Sequence, residues 1–209
     1  MCFSATASFA AGGALVAAGG LTIAQTKKKY QLPFACIPLL FGIQQITEGI
    51  IWISFGSPLL NIMMTYTYSI FSQVLWPIFI PLSVLLLEKD HVRKKILYLF
   101  FAVGLTMGLY LLYFIIKDPP IIAYIANRSI AYSYPHIYSL WIIAFYVVIT
   151  CGSAVVSSYK MINAFGILLF ISFFIASYFF NETLFSVWCF FAALLSFPVY
   201  FHLKHVKPK

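Results

Sequence analysis

Glu48 has the strongest claim to chemistry in this chain. It closes the polar run Gln44-Gln45-Ile46-Thr47-Glu48 inside a long apolar stretch. A charge at the centre of a bilayer costs about 2.5–3.5 kcal/mol on insertion scales, so such a residue marks a functional site by default. Gln45, Glu48 and Trp52 are spaced i, i+3 and i+7 and fall on one helical face. Four further groups have types suited to chemistry: Cys2, Ser4, His136 and Cys189, the last preceded by Trp188. Cysteine, histidine and carboxylate are the residue types of a nucleophilic triad, and also of a zinc site with an open position. Removal of Met1 would leave Cys2 with a free amine and thiol, as in N-terminal nucleophiles.

The elements that must position these groups follow from composition. Of 209 residues, 63% are apolar and 9% charged, against about 45–50% and 25% in soluble domains. Mean hydropathy is +0.97. These values exclude a soluble globular domain, a disordered chain and a nucleic-acid-binding arm, and they imply an integral membrane protein. The net charge of +8 does not imply a nucleic-acid partner, because the basic residues sit in short clusters between apolar runs. The four cysteines show no Cys-x-x-Cys or zinc-ribbon spacing.

A membrane-crossing helix needs roughly 20 mostly apolar residues. Seven runs qualify, at about 3–24, 33–54, 60–87, 96–116, 137–157, 162–180 and 184–203. The expectation is an all-α, polytopic bundle forming one transmembrane domain over 1–209. Eleven of the thirteen Lys and Arg residues fall in alternate loops and the C-terminal tail; only Lys117 and Arg128 fall on the other side. Cytoplasmic loops carry the excess of Lys and Arg, so the N-terminus is expected outside and the C-terminus inside. Glu48 then lies about 9 Å below the outer end of the second helix at 1.5 Å per residue. His136, Ser186, Trp188, Cys189, Cys2 and Ser4 map to the same outer half. Cys36 and Cys151 map to the inner half, as small packing residues.

Small residues in the first helix, and Gly104 with Gly108 in the fourth, suit close helix packing. Pro77 and Pro81 should kink the third helix. The long outer loop 117–135 is expected to lie on the headgroups with its tyrosines as anchors, or to form a lid.

The opening Met1-Cys2-Phe3-Ser4-Ala5, the Gln45-x-x-Glu48 with Trp52, Trp76-Pro77 and Ser186-Val187-Trp188-Cys189 together resemble a family of small bacterial seven-helix membrane proteins known only as a domain of unknown function. The resemblance covers nearly the whole chain. It implies a bacterial inner-membrane location and carries over Cys2, Ser4, Gln45, Glu48, Trp188 and Cys189, with His136, as matching positions. It assigns no reaction.

Three functional readings remain open at this level. The first is an outer-half polar pocket that binds or transports an ion or small molecule, with Glu48, Gln45, Trp52, His136, Trp188, Cys189, Cys2 and Ser4 around it. The second is a structural or assembly role, in which Glu48 only ties helices together. The third is an intramembrane Cys/His/Glu enzyme, in which Glu48, His136, Cys189 and Cys2 could hold a metal ion. The lipid bilayer is the one partner composition implies.

Overall fold

Spacing along the first helix sets the first packing seam. Helix α1 (Ala5–Ala24) buries Ser8, Gly12, Leu15, Gly19 and Thr22, a four-three alternation that keeps one stripe in register with a partner helix. The partner is α3 (Ile37–Ile53), preceded by the short α2 (Leu32–Ala35). A Cβ on Gly12 would lie 2.7 Å from Ile46, and one on Gly42 2.8 Å from the Val16 nitrogen. Gly13 and Gly20 meet nothing within 4 Å, so only half of the helix glycines serve this contact. The computed structural model describes residues 4–118, 120–134, 139–197 and 199.

The third apolar run is not one uniform helix. It divides into α4 (Pro58–Ser69), a π-helical turn at Ile70–Leu75, and α5 (Trp76–Leu87). Pro77 has no N–H for the carbonyl of Gln73, and its ring crowds that carbonyl. The wider π turn just before it relieves the crowding, and such turns often mark functional positions. Pro81 likewise leaves the Pro77 carbonyl without its helical donor. Helix α6 (His91–Lys117) approaches this carbonyl through Gly104, where a Cβ would fall far inside contact distance of the oxygen. One turn on, a Cβ on Gly108 would meet Ile78 at 2.7 Å and the Val74 oxygen at 3.0 Å. The glycine pair therefore fits α6 against the proline-altered stretch.

Helix α6 begins at His91, earlier than its apolar run suggested, because Asp90 caps it by accepting from the Arg93 N–H at 2.8 Å. The long loop after α6 carries secondary structure that its sequence did not announce. Strands β1 (Ile122–Ala126) and β2 (Ser129–Ser133) form an antiparallel hairpin. Its two turn residues, Asn127 and Arg128, have φ of 47° and 62°, the signs of a type I′ turn that matches strand twist. The chain continues through α7 (Leu140–Val155), α8 (Lys160–Phe179) and α9 (Leu184–Leu195).

The protein is all-α in class, with this one hairpin. Among the described residues, five stretches are long and apolar enough to cross a membrane: Ala5–Ala24, Lys29–Ile53, Pro58–Leu87, His91–Lys117 and Lys160–Phe179. Leu140–Val155 and Asn181–Leu195 are apolar but shorter.

Candidate functional site

Glu48 is fully buried on α3. Its Oε1 accepts a hydrogen bond from the Ser186 hydroxyl on α9 at 2.5 Å and another from the Tyr132 hydroxyl on β2 at 3.3 Å. One carboxylate thus joins α3, α9 and the hairpin.

The hairpin reaches this point because β2 is the buried strand. Ile130, Ala131 and Tyr132 are buried, while Ile122, Tyr124 and Ile125 of β1 are exposed. Tyr132 stacks on Tyr68 of α4 at 4.5 Å between ring centroids, and on Tyr134 at 5.8 Å. Tyr134 shares a 3.2 Å hydrogen bond with Ser69, and Tyr68 donates to the Phe185 carbonyl at 3.3 Å. At the tip, Asn127 donates to Glu182 at 3.4 Å. The loop is a strap of tyrosines seated in the bundle, and not only a headgroup anchor.

Below Glu48, Gln44 accepts from the Trp76 indole N–H at 2.7 Å. Its amide and the Tyr68 hydroxyl face the Cys189 sulfur, which lies within electrostatic reach of Glu48. Tyr146 on α7 donates to the Ser72 carbonyl in the π turn. A cavity of about 30 Å³ opens among Phe41, Trp76, Tyr146, Thr150, Trp188 and Cys189. Gln73 lines a second, smaller cavity with Tyr146 and Phe185 and faces the Tyr134 hydroxyl.

The predicted site residues fall as follows. Glu48 and Cys189 are brought together. Gln45 shares the Glu48 side of α3; it is fully buried, and neither amide atom has a hydrogen-bond partner among the described residues. Trp52 is half-buried, and its indole nitrogen also lacks such a partner. Trp188 is buried and donates to the Leu169 carbonyl at 3.2 Å, so it walls the cavity while its polar edge is occupied. Ser4 is exposed and caps α1, accepting from the Ala7 N–H at 3.2 Å. Cys2 and His136 lie outside the described residues, as does His202. Among the described residues no group of three His, Cys, Asp or Glu side chains gathers as metal ligands would.

Sequence reading missed Tyr68 and Tyr146, and placed Tyr132 and Tyr134 only as loop tyrosines for an anchor or a lid. Their hydroxyls are placed by contacts between distant segments, and no local spacing reports that. It also missed a second carboxylate. Glu88, between α5 and α6, is 2% exposed and accepts four hydrogen bonds: from the N–H groups of Lys89, Asp90 and Ser158, and from the Ser158 hydroxyl. Burial alone would raise its pKa, but these donors outweigh burial and hold it below the usual 4.5. Arg93 donates to the Val156 and Ser157 carbonyls at 3.0 and 2.8 Å, which satisfies the open end of α7.

The arrangement can hold a proton or a cation. It supplies a carboxylate, converging hydroxyls, amides and a thiol, all on buried residues. No curated protein and no solved structure matches the chain. A family profile described as "Family of unknown function (DUF6629)" matches residues 1–209. The apolar helices and this match agree: the chain is a membrane protein that belongs, across residues 1–209, to DUF6629, a family of unknown function.

Proposed function

We propose that this is a multi-pass protein of a bacterial inner membrane, N-terminus outside, whose outer half binds an ion at Glu48 and passes it across the bilayer. One observation carries the reading. A fully buried carboxylate receives two hydroxyl donors while the adjacent Gln45 amide has no hydrogen-bond partner among the described residues. Buried polar atoms in folded proteins are paired with protein, water or ligand. A small polar guest beside Glu48 and Gln45 would pair this amide.

Orientation is supported by loop proximity. Tyr30, Glu88 and Tyr159 lie within electrostatic reach of one another, so the three segments carrying Lys27–Lys29, Lys89–Lys95 and Lys160 share one end. An excess of Lys and Arg marks the cytoplasmic side. The hairpin and Glu48 lie toward the opposite end.

The test is thermal unfolding of the detergent-solubilised full chain from mildly acidic to neutral pH, with Na+, K+, Mg2+ or a small primary amine. The wild type should be stabilised by one of these cations or by protons, and Glu48→Gln should remove that dependence while remaining folded. If every condition acts equally on both proteins, Glu48 is a structural tie and the reading fails.

A further inference from the structure

The inner half of the bundle is not uniformly apolar. Tyr146, Thr150, Ser153 and Ser157 are spaced i, i+4, i+7 and i+11 along α7 and its end. All four are buried, at 5%, 4%, 0% and 2% exposure. That spacing makes a single stripe, about 16 Å long at 1.5 Å per residue. The other faces of α7 are committed to packing: Gly166 of α8 meets Cys151, Ala154 and Val155, and Ile149 meets Gly104 of α6.

Each end of this stripe adjoins a residue that lies beside a carboxylate. At the outer end, Cys189 lies within electrostatic reach of both Glu48 and Tyr146. Cys189, Tyr146 and Thr150 border the same cavity of about 30 Å³, room for a water molecule by the usual requirement of roughly 10–15 Å³. At the inner end, Ser157 precedes Ser158, which donates to Glu88 through both its N–H and its hydroxyl at 2.7 Å.

We propose that the ion is the proton, and that its route runs from Glu48 through the cavity bordered by Cys189, Tyr146 and Thr150, then along the α7 hydroxyls to Glu88. This rests on the reading of Glu48 as an ion site. A divalent cation would need about six oxygen ligands, and the track offers single hydroxyls one turn apart. A proton needs only one acceptor at a time, relayed through hydroxyls and intervening water. It enters on Glu48 from the outside and leaves from Glu88 to the inside, so no other species is consumed. Thr150 and Ser153 donate to carbonyls of their own helix, and their oxygen lone pairs remain available to water. Phe41, Trp76 and Trp188 give the cavity apolar walls, and dewetting between such walls can close a pathway without a moving gate. Groups facing Glu48 include Tyr132, Ser186 and Cys189; those facing Glu88 include Lys89, Asp90, Ser158 and Tyr159.

The experiment uses the full chain in liposomes with a pH-sensitive dye inside and a membrane potential set by K+ and valinomycin. Wild type should move protons faster than empty liposomes. Glu48→Gln should abolish the excess, and Thr150→Val combined with Ser153→Ala should lower it by roughly tenfold. Thr150→Ser, which keeps the hydroxyl, should retain it; its retention shows that loss in the Val variant is not misfolding. Wild-type flux no greater than that of empty liposomes overturns the proton assignment, while Glu48-dependent stabilisation in detergent would still uphold the site. Normal flux in the Thr150/Ser153 variant overturns the route alone. Normal flux in Glu48→Gln overturns the route and the site together.

Discussion

The Ser186 hydroxyl reaches the Glu48 carboxylate at 2.5 Å across a sequence separation of 138 residues. This bond fastens α9 to α3 in the apolar interior, and removing the donor leaves a buried carboxylate with less support. Hydrogen bonds to charged groups contribute about 1.5–3 kcal/mol. Ser186→Ala should lower unfolding free energy in mixed micelles by about that amount. A change near zero would mean that Glu48 does not depend on Ser186.

Gly104 and Gly13 make a matched pair. A side-chain carbon at Gly104 would drive into the Pro77 carbonyl, which is backbone and cannot swing aside, whereas Gly13 faces open space. Gly104→Ala should cost about 1–3 kcal/mol or more through overpacking. Gly13→Ala should be neutral or stabilising by up to about 1 kcal/mol from helix propensity. Melting temperatures of the two variants in one detergent decide the matter. Equal effects would contradict the close approach of α6 to α5.

Glu88 predicts an acid limb. Its folded pKa lies below 4.5 because hydrogen bonds from Ser158, Asp90 and Lys89 outweigh the opposing effect of burial. A depressed folded pKa contributes stability that is complete above the unfolded pKa and lost as pH falls through the folded one. Wild type should therefore lose stability below about pH 4.5 by an amount that Glu88→Gln does not. Parallel acid titrations of both proteins would show that Glu88 contributes nothing.

The hairpin turn carries strain at a residue whose side chain does no work there. Arg128 has a φ of 62° and is exposed. Left-handed backbone costs a non-glycine residue about 1–2 kcal/mol, and Asn-Gly is the favoured pair for this turn. Arg128→Gly should slow hydrogen exchange of the β1–β2 amides by roughly tenfold, corresponding to about 1.4 kcal/mol. Faster exchange would show that Arg128 holds the turn through a contact.

Class and location were written locally. Apolar runs, the Lys and Arg clusters, the glycine pair at Gly104 and Gly108 and the paired prolines each act over one helix or one loop, and sequence reads such distances directly. Glu48 announced itself for the same reason, since a carboxylate in an apolar helix is conspicuous without a partner in view. Only the tertiary structure decided what it meets. Ser186 and Cys189 come from α9 and Tyr132 from β2, and nothing in the spacing of one segment records the position of another. The hairpin was hidden because β2 is buried on both sides, which erases the alternation that marks a half-exposed strand. Glu88 was hidden by its place at the start of a charged loop, next to Lys89 and Asp90, where solvation is the default. Its burial depends on Ser158 arriving from a distant turn. The α7 stripe lies between these cases: its four-three-four spacing stands in the sequence, but hydroxyls that bond back to their own helix look like packing until each end is seen to adjoin a neighbour of a carboxylate.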